Sequence, residues 1–168
     1  WSPAGAILVM AASPSCGAEP AVKKEPDMNA ARADHAKPLP ALTGLAGEFY
    51  RWCAQGELRF QRCEDCGRHR HVPRELCAHC ASSKWVWARS SGRGMVFSWT
   101  DVVRPLHPAF AEDAPYAPEI VELDEGMRML SRVVDCAAGE LAIGMAVELV
   151  LTQVSDEVWL PYFRRSKD

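Results

Sequence analysis

Cys63-Glu-Asp-Cys66 and Cys77-Ala-His-Cys80 decide how this chain is read. Each pair separates its thiols by two residues, a spacing that one tight turn closes, and ten residues lie between the pairs. Two such turns facing each other bring four sulfurs into a tetrahedron, the geometry that a structural zinc ion prefers. The spacer is shorter than the roughly fifteen residues of the usual repeated pattern, yet it leaves room for a strand, a turn and a return. Four unrelated buried thiols, or two disulfides, are the competing readings. Repetition of the same spacing favours one Zn2+ held by Cys63, Cys66, Cys77 and Cys80. Four thiolates leave no coordination position open, so the expected role of that metal is structural.

The flanking residues suit a small ribbon. Leu58-Arg-Phe60-Gln-Arg62 alternates apolar and polar as a strand does, and Gly67 permits the left-handed turn that a knuckle needs. His69 to Pro73 is the expected returning strand, and Trp85-Val-Trp87 leads away from the second knuckle. His69, His71 and His79 are read as surface residues, with His79 a substitute ligand if one cysteine fails. A ribbon of this size has little core, so its metal supplies folding energy.

Upstream, residues 42–54 carry Leu42, Leu45, Phe49 and Trp52 at three- and four-residue spacing, which predicts an amphipathic helix. Thr43 is placed to cap it and Gly56 to end it, while Gly44 and Gly47 weaken its first turn. A helix bearing Phe49, Tyr50 and Trp52 packs on its own domain or offers a docking surface. Cys53 reads as a thiol on that helix rather than a fifth ligand. Residues 1–40 are rich in Ala, Pro and Ser and read as a flexible leader. The apolar run Ala6–Ala12 resembles a secretory core but has no basic residues before it, and Met28 is a plausible natural start.

Downstream, Gly92-Arg-Gly94 reads as a breaker before a strand over residues 95–103. Prolines 105, 108, 115 and 118 bound a loop holding His107 and Phe110. Glu119–Leu123, a hairpin turn at Asp124-Glu-Gly126 and residues 127–134 follow, then a helical turn near 138–141 and strands over 146–152 and 157–163. Five strands with few helices between them suit a five-stranded oligonucleotide/oligosaccharide-binding (OB) barrel. The expected fold is therefore mainly β, divided into a leader (1–40), a helix (41–56), a zinc ribbon (57–91) and an OB barrel with its tail (92–168).

The net charge of −3 conceals an uneven distribution. Residues 57–93 hold eight basic and four acidic side chains, net +4, and residues 94–168 hold six basic and thirteen acidic, net −7. Seven cysteines with Cys16, Cys53 and Cys136 unclaimed suit a reducing cytoplasm. No apolar run approaches the roughly 18 residues that span a membrane.

With these motifs in order, the chain resembles the domain-of-unknown-function-35 family. The matching stretches are Phe49-Tyr-Arg-Trp52, Gly56 through Gly67, Val72 through Cys80, Gly92 through Ser98, Val121 through Gly126 and Ile143-Gly-Met-Ala-Val147. They span roughly residues 42–165; Val72 stands where a second proline is common. The resemblance implies an N-terminal helix, a rubredoxin-like zinc ribbon and an OB fold. It also implies a partner role beside thiolase-like enzymes acting on acyl-CoA: thiolases, acyltransferases and the aldolases of steroid side-chain breakdown. Such small proteins dock in hetero-oligomers around a thiolase-fold dimer and help form the acyl-CoA entrance.

No nucleophile–base set and no phosphate-binding glycine loop is evident, so a non-catalytic accessory subunit is the expected function. Phe49 and Trp52 on the helix, and Arg104, His107 and Phe110 in the proline-bounded loop, are the candidate partner or ligand surface. For His107 the plainer reading is an ordinary loop histidine. Single-stranded nucleic-acid binding is the alternative, favoured by the basic ribbon and opposed by the −7 of the barrel half, which repels phosphates. An independent acyl-CoA hydrolase or hydratase ranks third, because no acid/base pair stands out.

Overall fold

Arg59–Cys63 (β1) buries Phe60, Gln61 and Cys63, leaves Arg62 exposed and forms the centre of the first sheet. The computed structural model describes residues 37–167; the leader expected over 1–40 lies, but for its last four residues, outside them. Antiparallel to β1 run the two-residue β2 (His69–Arg70) and β3 (Trp85–Arg89), in the order β2-β1-β3. The returning strand is thus shorter than the sequence suggests. From Val72 the chain leaves the sheet, and Arg74 returns its amide to the Gln61 side chain at 2.8 Å. Gln61 is fully buried; its Oε1 also accepts from Arg70 Nε at 2.7 Å.

The helix α1 (Gly44–Ala54) begins after Thr43, which is extended and makes no side-chain cap bond. Its buried positions are Gly47, Phe49 and Cys53. Gly47 is a requirement here rather than a weakness: a Cβ there would collide with the Leu42 carbonyl, where the incoming chain crosses the first turn. Phe49 is 3% exposed and meets Tyr50, Phe60 and His71 at ring separations of 5.2, 6.2 and 5.2 Å. Its burial contributes on the order of 2–3 kcal/mol. Trp52 is half-buried beneath the Arg59 guanidinium, 4.2 Å from its ring centroid.

The second sheet comprises β4 (Arg93–Trp99), β5 (Glu119–Leu123), β6 (Arg128–Ser131), β7 (Val133–Val134), β8 (Ala146–Gln153) and β9 (Trp159–Arg165), in the order β6-β5-β4-β8-β9-β7. This is the OB arrangement, with one difference from the expected closed five-stranded barrel. The third strand is broken at Arg132 into β6, antiparallel to β5, and β7, parallel to β9. The row therefore stays open as a hydrogen-bond ladder, and its two ends are joined covalently through one residue. The break leaves the Val133 amide outside the antiparallel ladder, and the Glu119 carboxylate accepts it at 2.9 Å. Glu119 is 2% exposed, and desolvation raises its pKa above the ordinary carboxylate range.

The expected breaker at Gly92–Gly94 is partly inside β4. Gly94 crosses β5 so closely that a Cβ would strike the Glu122 carbonyl. A bulge at Phe97 then shifts the register, pairing Val96 with Val121 and Ser98 with Ile120. One apolar core runs through both sheets. Phe49, Cys53, Leu58 and Phe60 pack in the same cluster as Val96, Val121, Met129, Val147 and Phe163.

Candidate metal centre and partner surface

Two knuckles built alike hold the four cysteines. In the first, the amide of Gly67 donates to the Cys63 carbonyl at 2.9 Å, and Gly67 turns through a positive φ of 72°. In the second, the amide of Ala81 donates to the Cys77 carbonyl at 2.8 Å, and Ala81 takes a φ of 58°. Cys63 closes its loop by donating to Arg68 O, as Cys77 does to Ser82 O. The four Sγ atoms lie within 4.8 Å of one another, with Cys63–Cys80 and Cys66–Cys77 each at 3.6 Å. Sulfurs around a tetrahedral ion with bonds of about 2.3 Å stand roughly 3.8 Å apart, so the spacing fits a metal. It is far from the roughly 2 Å of a disulfide, and all four are free thiols.

The electrostatics agree. Knuckle amides at Cys66 and Asp65 lower the Cys63 thiol, and those at Cys80 and His79 bring Cys77 down to about 6. Cys80 is drawn down by the Ser82 amide, but desolvation and the other three sulfurs outweigh it and push its thiol up to about 12. Four clustered thiols cannot all ionise unless a cation offsets their charge. His79, the substitute ligand, stands exposed outside the cluster. Cys53 is buried on α1, its thiol pushed up to about 12 by desolvation.

The remaining expected site residues are scattered. Phe49 lies inside the core, which corrects its assignment to a docking surface. His71 is corrected too: it is enclosed between Phe49 and Phe60, with ring separations of 5.2 and 5.6 Å, and desolvation drops its pKa to about 4. The loop between β4 and β5 brings His107 and Phe110 together at 6.0 Å. His107 Nδ1 caps the short 3-10 turn Pro108–Phe110 by accepting the Ala109 amide at 3.2 Å. Phe110 also contacts Tyr116, and Lys37 lies over its ring while pairing with Asp113 at 2.7 Å. Arg104 is exposed on the same loop. No helix among the described residues is long and apolar enough to cross a membrane.

A four-cysteine knuckle pair fused through one core to an OB sheet defines the class: a rubredoxin-like ribbon with an OB domain. Two family profiles match along the chain, the ChsH2 rubredoxin-like zinc ribbon domain over residues 53–86 and the ChsH2 C-terminal OB-fold domain over residues 87–152. A "DUF35 domain-containing scaffold protein" of Methanocaldococcus jannaschii is 34% identical over 97 residues, covering 57% of this chain and 68% of the relative. The chain belongs to the DUF35 family. A "Probable enoyl-CoA hydratase alpha subunit" of Thermomonospora curvata is 36% identical over 128 residues, 76% of this chain. The chain spans only 40% of that relative's length. Among solved structures, a chain of the "Ltp2-ChsH2(DUF35) aldolase" is 35% identical with a TM-score of 0.68, covering 76% of this chain and 98% of that one.

Proposed function

We propose that this chain is a zinc-bearing accessory subunit that docks on a thiolase-like acyl-CoA enzyme in the cytoplasm and helps form its acyl-CoA site. The observation that carries the reading is the near-complete coverage of a DUF35 chain solved within an aldolase. A relative named as a hydratase alpha subunit points to acyl-CoA chemistry as well. Cys63, Cys66, Cys77 and Cys80 hold one Zn2+, which clamps the ribbon; their all-thiolate set and tetrahedral spacing suit that ion. Cys53 and Cys136 are free thiols, which suits a reducing compartment.

Nucleic acid is the less favoured ligand. In an OB fold the strands equivalent to β5 and β6 present the binding face. Here their outward side chains are Ile120, Glu122, Arg128 and Leu130, and Arg128 is already paired with Glu122 at 2.7 Å. Phe97 on the neighbouring β4 is already covered by the Arg128 guanidinium at 3.3 Å, so the face offers bases neither an open ring nor spare positive charge. Native purification from the source cell followed by mass spectrometry tests the proposal. A stoichiometric thiolase-fold partner is the expected result. Binding to single-stranded oligonucleotide without any such partner would overturn it.

A further inference from the structure

The outer face of the β4-β5-β6 meander is more apolar than a solvated sheet face should be. On the inner side Val96, Val121, Leu123 and Met129 fill the core. On the outer side Met95 is 47% exposed, Phe97 39% and Leu130 68%. Beside them Ile143 is 75% exposed, on the turn that pins Gly144 N to Val96 O at 2.8 Å. The register makes these one surface. Ile120 stands between Ser98 and Leu130, and Glu122 between Met95 and Arg128. The bulge turns Phe97 outward, and the Arg128 guanidinium lies 3.3 Å from its ring centroid. The largest contiguous apolar patch that a domain exposes is often functional.

The charge around this face selects the occupant. Arg93 pairs with Asp124 at 3.6 Å and Arg128 with Glu122 at 2.7 Å, so the strip's own cations and carboxylates offset each other and the sign is set by the charges around it. The half of the chain that carries the face, residues 94–168, sums to −7. Two copies apposed through it would bring two such halves together, and like charge across an interface is unfavourable. The complementary surface has an apolar centre and a basic rim.

We infer that the outer face of β4-β5-β6, centred on Phe97 and Leu130, is the surface by which this chain docks on a protein partner with an apolar patch ringed by Lys and Arg. It rests on the reading above in taking that partner to be the acyl-CoA enzyme. Phe49 of α1 is consumed by the chain's own core and is not available for that contact.

The test uses the full chain with a photo-crosslinking residue at position 130, irradiated in the source cell, and adducts mapped by mass spectrometry. An adduct to an apolar, basic-rimmed surface of an acyl-CoA enzyme is expected. The double variant Phe97→Glu/Leu130→Glu should bind that enzyme at least tenfold more weakly while keeping its metal content and circular dichroism. The variant Arg51→Glu on the exposed side of α1 should change affinity less than threefold. Wild-type affinity in the double variant overturns the face and leaves docking itself intact. An adduct mapped to an apolar, basic-rimmed surface of another class of protein upholds the face and refutes docking on an acyl-CoA enzyme. Adducts only to a second copy, or no heteromeric adduct, overturn the face.

Discussion

Lowering the pH from 7 to 5 should weaken the fold through His71. The imidazole is enclosed by Phe49 and Phe60, and burial pulls its pKa from 6.5 to about 4. Below 6.5 the unfolded chain takes up a proton that the folded chain refuses until about 4. The stabilisation is therefore present above 6.5 and is lost as pH falls through that window. At pH 7 the linkage is almost nil. At pH 5 the unfolded histidine is nearly all charged and the folded one nearly all neutral, a loss of about 2 kcal/mol. The cysteine ligands also gain protons as the pH drops, so wild type alone does not isolate the effect. Urea denaturation of wild type and His71→Phe, each at pH 7 and pH 5 with excess Zn2+, removes that contribution by difference. The variant should lose about 2 kcal/mol less than wild type between the two pH values. Equal losses in both proteins would refute the reasoning, as would an NMR titration in which the His71 ring protonates near 6.5.

Cys66→Ser should leave little bound metal and a chain that fails to fold solubly, because the two knuckles beyond β1 add no buried residue to the shared core and depend on the metal; one Zn2+ per chain surviving by elemental analysis would rule out the four-thiolate site. Phe49→Ala should cost about 3–5 kcal/mol in chemical denaturation, as expected for emptying a core aromatic site. A loss below about 1 kcal/mol would place that ring outside the core. Ala81→Gly should stabilise the second knuckle by up to about 1 kcal/mol by relieving the left-handed backbone; a lower melting temperature at equal metal content would count against strain at that position.

The ribbon was legible because thiol spacing is a direct constraint: two residues between ligands admit few backbone paths. The OB half was legible from strand formers separated by turns, with the hairpin at Gly126 correctly placed by its positive φ of 77°. Less could be read from the helix. An apolar stripe at Phe49 has the same pattern whether it faces its own core or another subunit, and only the position of Phe60 opposite it decides. His71 was misread for a related reason: it follows the polar pair His69-Arg70, and the rings that enclose it come from residues 49 and 60. The break at Arg132 was invisible, since Ser131-Arg-Val133 carries no glycine or proline. Its one sequence signal was Glu119, a carboxylate where an inward-facing apolar residue belongs. The outward strip of Met95 and Phe97 was hidden in a run of strand formers, because alternation distinguishes two faces without saying which one meets water.

The core shared by α1, β1 and the OB sheet has a consequence for inheritance. Phe49 and Phe60 belong to the same buried cluster as Val121 and Phe163. A ribbon transplanted onto a different OB domain would bring its cysteines but leave a void or a collision in that cluster. Lineages that exchange this segment should therefore exchange helix, ribbon and sheet as one cassette, with compensating volume changes appearing together at the two phenylalanines and their sheet neighbours. Modular shuffling of the ribbon alone is closed to this architecture.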